Sequence, residues 1–291
     1  MLRGLDFKCH FCPICDGSGC IGELPGMGGV FENANFLSNT SDWKKYTDNL
    51  SIENKVSNLI PIRLAPITGA IENIGYHDEK SFYFDIMNAA SQANILLSIG
   101  DGCPDEKLLY GIEAVKSISK KAAVFIKPYP NEKIFQRMEW ASEITEIIGI
   151  DIDSYNIVTM RNKVHLEKKD ATKINELRKV TKHPFAIKGV FTQEDVELVK
   201  QVKPEIVVVS NHGGRIETEK GSTADFLHKY SQELSLYCNE LWVDGGIRCK
   251  EDIIVAAKLG AKQVMIGRPL ISALCRGGIK EVQAEVQKFC L

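Results

Sequence analysis

The stretch Ile206-Val207-Val208-Val209-Ser210-Asn211-His212-Gly213-Gly214-Arg215 decides how the chain is read. Its first four residues are an unbroken β-branched run, the pattern of a strand buried on both faces, as in a parallel sheet. Where the run stops, a histidine and an arginine stand three residues apart with two glycines between them. The glycines permit a sharp turn and the close approach of another molecule. Histidine titrates near neutral pH and can serve as base and then acid. Arginine presents a planar fork of donors that suits a carboxylate or a phosphate. A base beside an anion clamp suits a small acid. A solvated loop that happens to hold both residues is the competing reading of the decapeptide alone.

Working outward, similar apolar runs recur at Ile60–Ile67, Ile95–Ile99, Ala122–Ile126, Ile147–Ile150, Phe185–Ile187, Leu241–Val243 and Gln263–Ile266, which with Ile206–Val209 makes eight. Helical periodicity fills the intervals at Ser81–Ala93, Asp105–Ser119, Lys133–Thr145, Asp170–Lys182, Glu194–Val202, Thr223–Tyr237, Lys250–Leu259 and Ile279–Cys290. Strands alternating with helices imply parallel pairing. Eight such units predict a (β/α)8 TIM barrel over residues 60–291, with a doubly wound open sheet as the runner-up. Residues 1–59 have a different texture, rich in cysteine, glycine and asparagine, and form an irregular N-terminal extension.

Composition narrows the function classes. A net charge of −2 over 291 residues, with Lys and Arg scattered, gives no basic face for nucleic acid or a membrane surface. No run approaches the ~18 apolar residues of a membrane span, and no signal-peptide pattern follows Met1, so a cytoplasmic protein is expected. Nine cysteines, an odd count, fit free thiols or a metal site better than a disulfide framework. Cys9, Cys12, Cys15 and Cys20 fall within twelve residues and include a C-x-x-C-x-G-x-G element resembling half a zinc knuckle. Zinc, an iron–sulfur cluster and a thiol arm that binds nothing are the open readings of these four.

Barrels carry their chemistry at the C-terminal ends of their strands. Those ends read Pro66-Ile67-Thr68-Gly69, Ser98-Ile99-Gly100-Asp101, Lys127-Pro128-Tyr129, Asp151-Ile152-Asp153, Lys188, His212 with Arg215, Asp244-Gly245-Gly246-Ile247-Arg248, and Gly267-Arg268-Pro269. The loops after strands seven and eight are a common phosphate site, and here each offers glycine amides and an arginine.

Four pieces within Pro184–Gly278 carry a resemblance: Ile187-Lys188-Gly189, Ser210 to Arg215, Val243 to Arg248, and Ile266-Gly267-Arg268-Pro269. In this order and spacing they resemble the FMN-dependent α-hydroxy-acid oxidases and dehydrogenases of the glycolate oxidase and lactate oxidase type. The cysteine-led start is similar to that of a short branch of that family. The resemblance implies an FMN cofactor, a small 2-hydroxy acid substrate, an electron acceptor that the sequence does not name, and a homo-oligomer, commonly a tetramer. It implies that His212 is the base, that Asp153 orients it, that Arg215 and Tyr129 hold the substrate, and that Lys188 stabilises the reduced flavin. Asp244, Gly245, Gly246, Arg248, Gly267 and Arg268 would hold the ribityl phosphate end; Pro66, Ile67, Thr68, Ser98 and Lys127 would line the flavin ring.

Three departures bear on the substrate pocket. The family's N-terminal substrate tyrosine has no counterpart, a family glutamine is replaced by Lys127, and a family substrate arginine is missing, with Arg161 as its replacement candidate. Two other functions compete with hydroxy-acid oxidation. One is a non-redox FMN barrel such as the type 2 isopentenyl-diphosphate isomerases, whose loop after strand six lacks a His-Gly-Gly-Arg element. The other is a flavin and thiol redox sensor without turnover of 2-hydroxy acids.

Overall fold

The backbone amide of Leu64 donates to Leu96 O (2.8 Å) and that of Leu96 to Ile62 O (3.0 Å), joining the first strand to the segment that enters the second and closing a ring. The ring has eight parallel strands: β1 (Ile62–Leu64), β2 (Ser98–Gly100), β3 (Ala122–Ile126), β4 (Thr145–Asp151), β5 (Phe185–Val190), β6 (Ile206–Val209), β7 (Glu240–Asp244) and β8 (Gln263–Ile266). From β2 to β8 each is paired with its sequence neighbour, and β8 pairs with β1. The architecture is the (β/α)8 barrel. The computed structural model describes residues 34–47, 59–157, 160, 163–216 and 219–290. Cys9, Cys12, Cys15, Cys20 and Arg161 lie outside these.

The helices are α1 (Ala34–Ser41), α2 (Ala70–Ile74), α3 (Glu79–Gln92), α4 (Glu106–Ser117), α5 (Asn131–Ala141), α6 (Ala171–Val180), α7 (Gln193–Val202), α8 (Thr223–Leu234), α9 (Lys250–Lys258) and α10 (Arg268–Cys290). Among the described residues none is long and apolar enough to cross a membrane. Starts are set by capping side chains: Asp78, Asp170 and Ser222 each accept from a backbone amide of the first turn, and Thr192 with Asp195 forms a capping box. α10 begins eleven residues before the periodic segment at Ile279 and is broken at Gly277 and Gly278, whose backbone leaves the helical region. α1 and α2 had no periodic signal long enough to reveal them.

Two-residue alternation sorts the strand residues into two cores. Outward positions such as Val124, Ile126, Ile148, Ile150, Ile187, Val207 and Val243 join the large cluster beneath the helices. Inward positions Ala123, Phe125, Ala186, Ile206, Val208, Trp242 and Met265 fill the barrel interior. At the N-terminal end of the interior Arg63 is buried. Its guanidinium donates to Gln263 Oε1 (2.5 Å), Leu97 O (2.5 Å) and Glu146 Oε1 (2.7 Å) and lies over the Trp242 ring. That end is thus plugged by a satisfied cation, leaving the C-terminal end open.

Interior volume is tight at Gly149, where a Cβ would stand 2.6 Å from the Phe125 ring and 3.2 Å from Ala186 Cβ. The variant Gly149→Ala is therefore expected to destabilise the barrel by about 1–3 kcal/mol, read as a lower denaturant midpoint at unchanged slope.

Candidate active site

The inward alternation that fills the barrel continues one step beyond it. On β3 the inward series Ala123, Phe125 leads to Lys127, on β4 Ile147, Gly149 leads to Asp151, and on β5 Ala186 leads to Lys188. On β7 Trp242 leads to Asp244. Register then brings these groups together, since Asp151 pairs with Lys188 across β4 and β5. Lys127 Nζ donates to Asp151 Oδ2 (2.6 Å), and Lys188 Nζ to Asp151 Oδ1 (3.2 Å) and Ser210 Oγ (3.1 Å). Asp244 Oδ2 lies 3.4 Å from Lys188 Nζ.

Burial disfavours the charged form of Asp151, but the ammonium groups of Lys127 and Lys188 outweigh it and hold the carboxyl well below its usual range. Lys188, desolvated but facing Asp151 and Asp244, is held above its usual value. Asp151 was given no role from sequence; its signal was its place in the inward series beside Lys127 and Lys188.

His212 stands just past β6 with a left-handed backbone, φ 57°, followed by Gly213 and Gly214 at φ 66° and 90°. A non-glycine residue there is strained, and such strain collects at functional sites. The turn is held from both sides. Asn211 Oδ1 accepts the Gly214 amide (2.9 Å), and a Cβ on Gly214 would meet the Phe36 backbone at 2.6 Å. His212 Nδ1 lies 3.1 and 3.2 Å from the two Asp153 oxygens and 3.7 Å from Asp151 Oδ2. Asp153 sits in a short 3₁₀ turn after β4, in space left by Gly189, whose Cβ would fall 2.5 Å from Asp153 Cγ. Burial, then the neighbouring lysines and Arg215, depress the His212 imidazole well below its ordinary value against the pull of Asp151, so the ring is neutral at rest.

Residues 34–46 form part of this face. Asn39 and Asn211 exchange hydrogen bonds (2.7 and 3.1 Å), Asn39 Oδ1 also accepts the Thr223 amide (3.0 Å), and Trp43 Nε1 donates to Gly245 O (2.9 Å). Gly246, at φ 78°, leaves no room for a side chain: a Cβ would lie 1.7 Å from Asn39 O. Arg268 Nη2 donates to Gly213 O (3.0 Å), with its guanidinium over the Phe36 ring.

These elements surround one open cleft with about 1200 Å³ of empty space, mouth included. That is room for a ligand of cofactor size. Of the residues expected from sequence, Pro66, Ile67, Thr68, Lys127, Lys188, His212, Arg215, Asp244, Gly245, Gly246, Arg248, Gly267 and Arg268 line it. Three stand elsewhere. Asp153 lies behind His212, outside the lining. Ser98 is buried at the start of β2. Tyr129, only 1% exposed, is packed against the cations of Arg137 and Lys133, its ring centroid 4.3 Å from each, and its hydroxyl faces Gly102 O. Arg137 itself is held by Asp101 (2.9 Å) and Asp105, so Tyr129 belongs to a structural network beside the cleft.

Asp151 should govern stability as well as geometry. Because its folded-state pKa is depressed, its contribution is present above the unfolded carboxylate value and is lost as pH falls through the folded one. Replacement by Asn is expected to cost about 3 kcal/mol at pH 7, since both lysines lose their shared partner, and less below about pH 4. Urea unfolding of both proteins at several pH values measures the difference.

Residues 118–289, more than half of the chain, match the family model described as FMN-dependent dehydrogenase. The chain is 38% identical to rat 2-hydroxyacid oxidase 2 over 109 residues, which are 36% of this chain and 31% of the relative. It is 39% identical to a Dictyostelium discoideum 2-hydroxyacid oxidase over 102 residues, 35% of this chain and 26% of the relative. The matched stretch thus spans about a third or less of these curated relatives. Mandelate oxidase solved with benzoyl-formic acid superposes with a TM-score of 0.69 at 20% identity, covering 93% of this chain and 88% of that one, a likeness of fold. The chain belongs to the FMN-dependent dehydrogenase family.

Proposed function

We propose that the chain binds FMN in the barrel cleft and oxidises a small 2-hydroxy acid to the 2-oxo acid, with His212 as base and Arg215 as carboxylate clamp. The observation that carries this reading is His212, backed by Asp153 3.1 Å from its Nδ1 and facing the same cleft as Arg215 and Lys188.

The cleft suits the cofactor. Asp244 Oδ1 is buried without a hydrogen-bond partner among the described residues, an acceptor in need of a donor such as a ribityl hydroxyl. Arg248 and Arg268, with the glycine turns Gly245-Gly246 and Gly267 at the start of α10, offer a cationic, donor-rich pocket to a phosphate. Lys188 and Lys127 at the cleft floor would face the ring, with Pro66, Ile67 and Thr68 along its side. When bound, FMN supplies the acceptor for the two electrons leaving the substrate carbon.

The chain's own residues do the rest. Arg215 holds the carboxylate and so fixes which carbon faces the cofactor. With Nδ1 engaged by Asp153, Nε2 of His212 is left to take the substrate hydroxyl proton. Asp151 and Asp153 stabilise the imidazolium that results. The lysines hold negative charge that develops at the floor of the cleft.

An absorption spectrum of the FMN-loaded protein, followed without oxygen as 2-hydroxy acids are added, tests the reading. Flavin bands should bleach with at least one acid. His212→Ala should slow that bleaching by about 10²–10⁴-fold, and Arg215→Lys should raise the acid concentration needed by about 10–100-fold. Bands that no hydroxy acid bleaches would move the assignment to a non-redox flavin barrel.

A further inference from the structure

A second cavity opens on the flank of the barrel, by the N-terminal ends of α6 and α7. Asp153, Gly189 and Ile216 lie on its inner side, while the exposed side chains of Tyr155, Lys168 and Glu194 lead to solvent. His212 lines the cleft and not this cavity; Asp153 lines this cavity and not the cleft. The 3.1 Å contact between Asp153 Oδ1 and His212 Nδ1 is therefore the partition between two spaces. Gly189 makes this possible, because any side chain there would displace the carboxyl.

On the other side of the imidazole stands Asp151. One ligand atom from each of Asp151, Asp153 and His212 fits within 4.8 Å of the others. Such a triad could suggest a metal, but Asp151 already holds two ammonium groups, Lys127 and Lys188, which oppose a further cation. The groups around Asp153 are His212 at 3.1 Å, Asp151 with a carboxylate oxygen within 4.8 Å, Lys188 and Lys127 beyond them, and Lys168, Glu194 and Asp195 along the flank cavity. Burial, then the charge of Asp151, pushes the Asp153 carboxyl well above its usual range, while Asp151 stays ionised between its lysines. Two carboxyls buried this close to one another resist ionising together, which favours one proton shared by the pair. A buried cluster resists a change in total charge.

We propose that Asp153 is a proton-release group between the cleft and the flank cavity: as His212 gains a proton from the substrate, Asp153 loses its own to water on the flank side. The substrate O–H bond breaks and an Nε2–H bond forms, while the Asp153 O–H bond breaks and a flank water takes that proton. The imidazole gains one positive charge and the carboxyl pair one negative charge, so the cluster keeps its total. Asp153 acts through His212, as a positioning and proton-releasing residue. The step rests on the hydroxy-acid reading above; the protonation of the carboxyl pair does not.

Two measurements on the FMN-loaded protein decide it. The first uses no substrate. Aspartate-directed carboxyl labelling, read by NMR across pH, should show a carboxylic acid that persists at neutral pH, beyond that of Asp101, which burial pushes up to about 6. That signal should vanish in Asp153→Asn. Two ionised carboxylates at neutral pH would overturn the proposal.

The second adds the hydroxy acid that bleaches the flavin, with a pH-indicator dye in a stopped-flow instrument. Wild type should release a proton in step with bleaching. Asp153→Asn should bleach about 10²-fold or more slowly and lose the coupled release. Leu198→Trp, which fills the flank cavity and leaves His212 and Asp153 in place, should delay release relative to bleaching. Release that is absent in wild type, or unchanged in both variants, would overturn the proposal. Should no hydroxy acid bleach the flavin, the functional reading fails and the carboxyl titration alone decides.

Discussion

The buried bridge from Lys127 through Asp151 to Lys188 is the interaction on which the site depends. Two ammonium groups at the mouth of an apolar barrel would be costly without a shared counter-charge, and Asp151 supplies it at 2.6 and 3.2 Å. The bridge is also a geometric device. It ties the ends of β3, β4 and β5 to one another, fixes the floor of the cleft and sets the field in which His212 is neutral. Burial and the charge of Asp151 together push the neighbouring Asp153 carboxyl above its usual range.

The opposite wall of the cleft is held by residues that precede the barrel. Asn39 bonds to Asn211 and to the amide of Thr223, Trp43 reaches Gly245, and Phe36 packs beneath Arg268. The loops after β6, β7 and β8 are thereby linked through one short helix and the turn behind it. The same segment explains why Gly214 and Gly246 must be glycine, since in each case the backbone of α1 occupies the place of a Cβ. His212, Arg215, Arg248 and Arg268 are thus carried on one packed unit.

Much of this was legible in the chain itself. Eight apolar runs separated by helical periods give the barrel, and Ala122–Ile126, Ile206–Val209 and Gln263–Ile266 coincide with their strands to the residue. The strand ends named the residues lining the cleft because inward alternation is a local property of sequence. What escaped was non-local or conformational. The role of Asp151 depends on register between β4 and β5, and α1 is too short for its periodicity to stand out. The reach of Asn39 to Asn211 spans 172 residues. Tyr129, which the resemblance set against the substrate, is instead buried beside Arg137, eight residues on in α5.

The central claim is that the cleft is built for a flavin carrying a phosphate. Its most direct test is a fluorescence titration of the cofactor-free protein with FMN and, separately, with riboflavin, which has the same ring and no phosphate. Charge-assisted contacts from Arg248 and Arg268 predict that FMN binds about 10²-fold or more tightly, with the advantage shrinking when either arginine is replaced by alanine. Equal affinity for the two flavins, or no quenching by either, would contradict the account.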